Sequence, residues 1–235
     1  MSVGYKTYKY VEEIRDLLDI PLKGTRICCM GHLNTRKDSR DYFRRKKMKK
    51  AHGLLSCHFD SLGADCWEID INGGNGYNKC LVEDLGRVIT NKDILGTFDL
   101  LVDGGTAEHI DSQVNYWINI FNLLKIGGTS IHFLPYRNSW DLHCTWRYDM
   151  AWLDKFIAAY GYELVDWKKN NDYYLSYQHY PTNDPDRRQL CWAMRKTEKT
   201  AIAKIQNPYY DPQGHMKDKR MYERFIIPVR GNDAL

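Results

Sequence analysis

The chain reads as a single α/β domain built on a mostly parallel sheet, with an antiparallel pair of strands at one edge. Three observations predict this. Short apolar runs bounded by turn residues recur at Thr25–Met30, Cys66–Ile71, Lys79–Asp84, Phe98–Asp103 and Thr129–Leu134, as expected of strands buried on both faces. Segments of helical periodicity lie between several of them. Acids stand at successive strand ends, Asp70, Glu83 with Asp84, and Asp103. That end of an open parallel sheet is where its ligand crevice lies.

The elements follow in order. Val11, Ile14, Leu17 and Leu18 mark a covering helix over Tyr10–Leu18, which Pro21 and Gly24 stop. The strand Thr25–Met30 runs into Gly31 and a polar loop, His32–Ser39, able to cap a helix over Arg40–Leu55. After the strand ending at Asp70, the loop Asn72–Gly76 carries three glycines that let backbone approach a ligand. The strand ending at Asp103 leads through Gly104 and Glu108-His109 into a helical stripe of Val114, Trp117, Ile118, Phe121 and Leu124, with Gly127-Gly128 as its stop. Thr129–Leu134 is the next strand. Met150, Leu153, Phe156 and Ile157 mark a helix over Tyr148–Tyr160 that ends at Gly161, and Tyr162–Trp167 reads as a strand. Asp172–Tyr180 and Gln189–Lys196, separated by the turn-rich Pro181–Arg188, form the antiparallel edge hairpin. The chain divides into an N-terminal covering helix at 1–24, a body at 25–196 and a C-terminal extension at 197–235.

Bulk properties narrow the function class. The 235 residues can bury one sizeable core, and a charged fraction of 27% with 43% hydrophobic residues excludes wholesale disorder. Net charge is only +4, and nine Lys/Arg against two Asp fall between Arg36 and Lys50. With Tyr42 and Phe43 that run offers charge plus a stacking surface for nucleic acid, although a solvated helix face is the simpler reading. Seven cysteines at irregular positions, without a CxxC pair or zinc-finger histidine spacing, support neither a disulfide scaffold nor a structural zinc site. No stretch reads as a signal peptide or a membrane span, so a reducing, cytoplasmic location is expected, with no membrane partner. The oligomeric state is not legible.

A family resemblance rests on four runs: Phe98–Asp103, Thr106-Ala107-Glu108-His109-Ile110, Asn122-Leu123-Leu124-Lys125-Ile126-Gly127-Gly128, and Ile131-His132-Phe133-Leu134-Pro135. Together they resemble the central motifs of class I S-adenosylmethionine-dependent methyltransferases, of the type 11-like kind, and Gly161-Tyr162-Glu163-Leu164 resembles the entry to that family's terminal hairpin. The resemblance implies a Rossmann-like three-layer sandwich with a mostly parallel seven-stranded sheet and an antiparallel C-terminal hairpin. It implies S-adenosylmethionine as cofactor, with Asp70 and Ile71 at the ribose, Glu83, Asp84 and Leu85 at the adenine, and Gly31, Asp103 and Gly104 along the remaining cofactor wall. The implied activity is methyl transfer to an unidentified acceptor, a small molecule or glycan. The departure lies at the glycine motif, Ile27–Thr35, which keeps Gly31 alone and has Cys29 where the family has an acid. A non-catalytic binding protein on the same fold is therefore the alternative. A nicotinamide-dependent oxidoreductase is disfavoured, because GxGxxG is missing after the first strand.

Individual residues admit two readings. Asp70 suits ribose hydroxyls or an Asp-x-Asn-Gly turn, and Asp84 suits adenine or a cap. His109, His132 and His143 are the candidate general bases, and His32 joins them as a histidine expected near the crevice. A satisfied structural role is the simpler reading of each. No metal site is expected, since no close ligand pair is evident. Cys28 and Cys29 read as buried apolar filler, and Tyr136, Trp140, Trp146 and Tyr148 as either an acceptor wall or core.

Overall fold

The computed structural model describes residues 2–45, 53–73, 79–137, 143–165, 175–177, 188–203 and 207–210. The expectations for Lys46–Lys50, for the glycines at 74 and 76, for Trp140 and for the outer ends of the edge hairpin lie outside those residues, as does most of the C-terminal extension. In chain order the elements are β1 (Ser2–Val3), α1 (Tyr5–Leu17), β2 (Arg26–Met30), β3 (Asn34–Thr35), α2 (Lys37–Arg45), α3 (Leu55–Ser61), β4 (Asp65–Ile69), β5 (Cys80–Leu81) and β6 (Phe98–Asp103). A 3-10 turn (Ala107–His109) precedes α4 (Gln113–Leu123), β7 (Leu124–Pro135), β8 (Trp146–Arg147), α5 (Met150–Tyr160), β9 (Glu163–Leu164), β10 (Leu175–Tyr177), β11 (Arg188–Arg195) and β12 (Tyr209–Tyr210).

The main sheet has the order β10-β11-β7-β6-β2-β4-β5, with β9 also paired to β11. The pairs among β5, β4, β2, β6 and β7 are parallel, whereas β11 is antiparallel to β7, β9 and β10. This is the Rossmann-like arrangement that the methyltransferase resemblance implies, with an antiparallel hairpin at the C-terminal edge. Strand order reverses at β2, whose neighbours are β4 on one side and β6 on the other, so the topological switch point falls beside Gly31.

Side-chain alternation builds the three layers. Ile27, Cys29, Leu100, Val102, Ile131 and Phe133 face Tyr8, Val11 and Ile14 of α1, Phe43 of α2, and Leu55 and Phe59 of α3. Their neighbours Cys28, Met30, Leu101, Leu134 and Trp192 face Trp117 and Ile120 of α4 and Trp152, Leu153 and Phe156 of α5. The period of two along each strand places successive residues on opposite faces. Phe98 breaks parity by joining the α4/α5 face, because a register shift against β7 falls between Phe98 and Leu100. All seven cysteines are free thiols, and burial pushes the Cys28 and Cys66 thiols well up, consistent with inert filler.

Several elements depart from sequence expectation. Of the helix expected over Arg40–Leu55, the described residues show α2 as far as Arg45, whereas Leu54 forms a bridge to Asn34 and a further helix, α3, starts only at Leu55; the polar loop after Gly31 contains β3, which pairs in parallel with the N-terminal β1. Glu108 and His109 do not begin the long helix: they sit in the 3-10 turn, and α4 starts afresh with Ser112 as its cap, its side chain accepting the Asn115 N–H. Gly127-Gly128 lies within β7 rather than behind a helix stop. The α5 boundaries follow local chemistry instead: Asp149 caps the Trp152 N–H, and Gly161 closes the helix at φ +71°, a left-handed conformation that glycine adopts without strain. Among the described residues beyond 197, Tyr209 and Tyr210 pair with Arg147 and Trp146. No described helix is long and apolar enough to cross a membrane.

Candidate functional site

At the carboxyl end of β4, Asp70 is half-buried and ties two loops together. Its Oδ2 accepts the His32 N–H at 3.0 Å and its Oδ1 accepts the Asn72 N–H at 2.9 Å. A carboxylate has about four lone-pair positions, so each oxygen retains capacity for one more donor. Gly31 makes the approach of His32 feasible: at φ +77° it turns the chain sharply off β2, and its N–H donates to Ile69 O at 2.7 Å. The His32 ring folds back from the crevice. Its Nδ1 lies 3.0 Å from Oε2 of Glu68, a β4 carboxylate with no solvent exposure that also accepts the Ser56 hydroxyl. His32 and Ser56 thus serve to hold Glu68, a buried acid that would be costly without partners.

Beyond β5 the chain presents Glu83, Asp84 and Leu85. Asp84 Oδ1 accepts the Gly86 N–H at 2.8 Å, and its other oxygen lies 3.5 Å from Arg87 Nε. This loop is clamped by α4: Asn119 accepts the Ile89 N–H at 2.8 Å and donates to Leu85 O and Arg87 O, while Asn115 donates to Gly86 O at 2.7 Å. Leu85 is buried, yet Ile71 and Val82 nearby are 50% and 66% exposed. The half-buried acids Asp70, Glu83 and Asp84 therefore stand beside uncovered apolar side chains, a combination that suits a nucleoside with a flat apolar base and a polar sugar.

The other half of the expected cofactor wall is closed by protein. Asp103 at the end of β6 has no solvent exposure and is engaged on both oxygens. Oδ1 accepts the N–H groups of Gly105 at 3.0 Å and Thr106 at 2.7 Å, and Oδ2 accepts the Tyr116 hydroxyl at 2.6 Å, with His132 Nδ1 at 3.4 Å. Burial, then the Asp103 charge, pushes the Tyr116 hydroxyl well up, so it remains the donor. A side chain at Gly104 would stand 3.1 Å from Leu33 Cδ2 and 3.4 Å from Val3 Cγ2. Leu33 and Val3 thus cover the end of β6, where a glycine-rich loop would leave room.

Of the three candidate bases, His132 stands apart from the other two. His132 has no solvent exposure, being enclosed by Trp192, stacked at 4.8 Å, and Trp117 at 5.1 Å. It does not face the crevice, because it shares the parity of Leu134 and points into the α4/α5 layer. His109 and His143 do meet, with ring centroids 5.2 Å apart, beside Glu108. Sequence spacing concealed this cluster, since His143 lies far along the chain from its two partners. Of the aromatic set, Trp146 and Tyr148 are core residues, and the Tyr148 hydroxyl donates to Gln113 Oε1 at 2.8 Å. A cleft of about 520 Å³ lies along α5, between Trp152 and Lys155 on one side and Tyr209 and Tyr210 on the other.

No protein-family model matches the chain, and no curated protein matches it in sequence. Solved structures that resemble it include the Burkholderia thailandensis 1,6-didemethyltoxoflavin-N1-methyltransferase with bound 1,6-didemethyltoxoflavin and S-adenosylhomocysteine, at 13% identity and a TM-score of 0.48, covering 83% of this chain and 84% of that one. An S-adenosylmethionine-dependent methyltransferase from Mesorhizobium loti matches at 11% identity and a TM-score of 0.47, covering 78% and 96% respectively. A third, from Aquifex aeolicus, matches at 9% identity and a TM-score of 0.44, covering 80% and 87%. At such identities and scores the likeness assigns no ligand or residue role, and the architecture is read from the strand order itself.

Proposed function

We propose that the chain binds the adenosyl group of S-adenosylmethionine across the carboxyl ends of β2, β4 and β5, and transfers the methyl group to an acceptor. The observation that carries this reading is Asp70, a half-buried carboxylate beside the switch point whose two oxygens are oriented by backbone N–H groups and keep room for further donors. In this reading Asp70 accepts the ribose hydroxyls, Asp84 and the Leu85 backbone meet the adenine edge, and Ile71 and Val82 cover the base. Glu83 borders the same subsite. Bound here, S-adenosylmethionine supplies an electrophilic methyl on sulfur. The chain's contribution is positioning, which suffices when the nucleophile is held in line.

A second reading has its own support. Leu33 and Val3 over Gly104, with Asp103 consumed by internal hydrogen bonds, leave the methionine half of the ligand less accommodated than the adenosine half. A chain of this kind binds an adenosyl ligand without turning it over.

Asp70→Ala tests the placement. Loss of hydrogen bonds to a charged acceptor is expected to weaken S-adenosylhomocysteine binding by roughly 1.5–3 kcal/mol, with the melting temperature little changed. Wild-type affinity in a folded Asp70→Ala protein removes Asp70 from the site. Measurable methyl transfer to any small-molecule or glycan acceptor separates the first reading from the second.

A further inference from the structure

Two segments meet at the carboxyl end of β6. The 3-10 turn carries Glu108 and His109, and the stretch before β8 carries His143. One carboxylate oxygen of Glu108 and one ring nitrogen from each histidine all lie within 4.8 Å of one another. Glu108 Oε1 stands 3.9 Å from His109 Nε2. We infer that Glu108, His109 and His143 form a binding site for a first-row divalent transition-metal ion.

Geometry is the first argument. Neighbouring ligands bonded to one such ion at about 2.0–2.1 Å stand roughly 3.3–3.4 Å apart in a tetrahedral shell and roughly 2.8–3.0 Å apart in an octahedral one. With all three atoms inside 4.8 Å, each pair has to close by at most about 1.5 Å to reach the tetrahedral spacing, a distance on the scale of side-chain rotation.

The scaffold is the second. Asp103 holds the start of the turn through the N–H groups of Gly105 and Thr106. Gln113 Nε2 donates to Ala107 O at 2.7 Å and Ile110 O at 3.0 Å, closing the turn from the far side. The Thr145 N–H donates to Glu108 O at 3.1 Å, joining the two segments that carry the ligands. The Tyr148 hydroxyl then donates to Gln113 Oε1. Both halves of the ligand set are thereby fixed to one hydrogen-bonded frame, the preorganisation a metal site requires.

Donor chemistry sets the kind of ion. Two imidazoles with one carboxylate favour zinc, cobalt, iron or manganese over magnesium or calcium, which prefer an all-oxygen shell. Exposure rises from the buried Glu108 through His109 to the exposed His143, so one side of the set faces solvent. Three protein ligands with an open side characterise sites that also take an oxygen donor from water or a substrate. This inference does not rest on the adenosyl reading.

The test uses the full chain stripped with a chelator, with no adenosyl ligand present. Zn2+ is added by calorimetry and Co2+ is followed by visible absorption. One equivalent of each is expected to bind, with Zn2+ displacing Co2+ and abolishing its bands. His109→Ala and His143→Ala are each expected to weaken Zn2+ binding at least tenfold, and Glu108→Gln to do the same. Because His143 is exposed, its variant keeps the test open if Glu108→Gln fails to fold. Absence of saturable Zn2+ and Co2+ binding overturns the inference, as does wild-type Zn2+ affinity in folded His109→Ala and His143→Ala. Metal binding without adenosyl binding would refute the proposed function alone, and the reverse would refute this inference alone.

Discussion

Asp103→Ala probes the junction between fold and site. The carboxylate is fully buried and receives three close donors, the N–H groups of Gly105 and Thr106 and the Tyr116 hydroxyl, with the 3.4 Å approach of His132 Nδ1 a weaker fourth. Alanine leaves all of them facing a small buried void. At about 1–1.5 kcal/mol for each of the close donors stranded, the loss totals roughly 3–5 kcal/mol, a large share of a typical domain's stability. Asp103→Asn keeps an acceptor for the two N–H groups and turns an amide toward the Tyr116 hydroxyl, which then must accept, so its cost is expected near 1–2 kcal/mol. Urea denaturation followed by tryptophan fluorescence reads both, and at an m-value of about 2–3 kcal/mol/M the alanine variant should unfold roughly 1–2.5 M earlier. An Asp103→Ala protein within about 1 kcal/mol of wild type would refute the network's importance. It would also reopen Asp103 as a ligand contact.

Other consequences follow from particular contacts. Gly161→Ala places a Cβ at φ +71° and 3.1 Å from Lys199 O, and is expected to cost about 1–2 kcal/mol in thermal or chemical denaturation; an unchanged midpoint would contradict the cap geometry. Burial raises the phenols of Tyr116, Tyr148 and Tyr162 in the folded state, so the folded chain retains protons that the unfolded chain releases. The stability they contribute is intact below about pH 10 and declines above it by about 1.4 kcal/mol per pH unit for each group. Tyr116→Phe should flatten that decline by one such increment, and stability independent of pH up to 11 would count against all three.

Much of the fold was legible because its signals are local. β6 coincides with the expected Phe98–Asp103, and α5 lies within the expected helix because Asp149 and Gly161 punctuate it. What was hidden depends on distant partners. β1 and β3 are two-residue strands that pair with each other and with the chain at Gly53 and Leu54, and α3 is too short to display a helical period. The position of His132 followed from strand parity with Leu134, a signal present in the sequence and outweighed there by the family-like motif around it. The approach of His143 to Glu108 and His109 had no spacing signature, since it is set by β7 returning to the carboxyl end of the sheet. Leu33 over Gly104 was likewise invisible, although the missing glycines had marked that loop as the point of departure.

The most direct test of the account is calorimetric titration of the unaltered chain with S-adenosylhomocysteine, alongside NAD as a competing nucleotide. Saturable one-to-one binding of S-adenosylhomocysteine, without comparable heat from NAD, is the predicted result. No binding of S-adenosylhomocysteine, or binding of NAD in its place, would contradict the assignment of the β2, β4 and β5 ends to an adenosyl ligand.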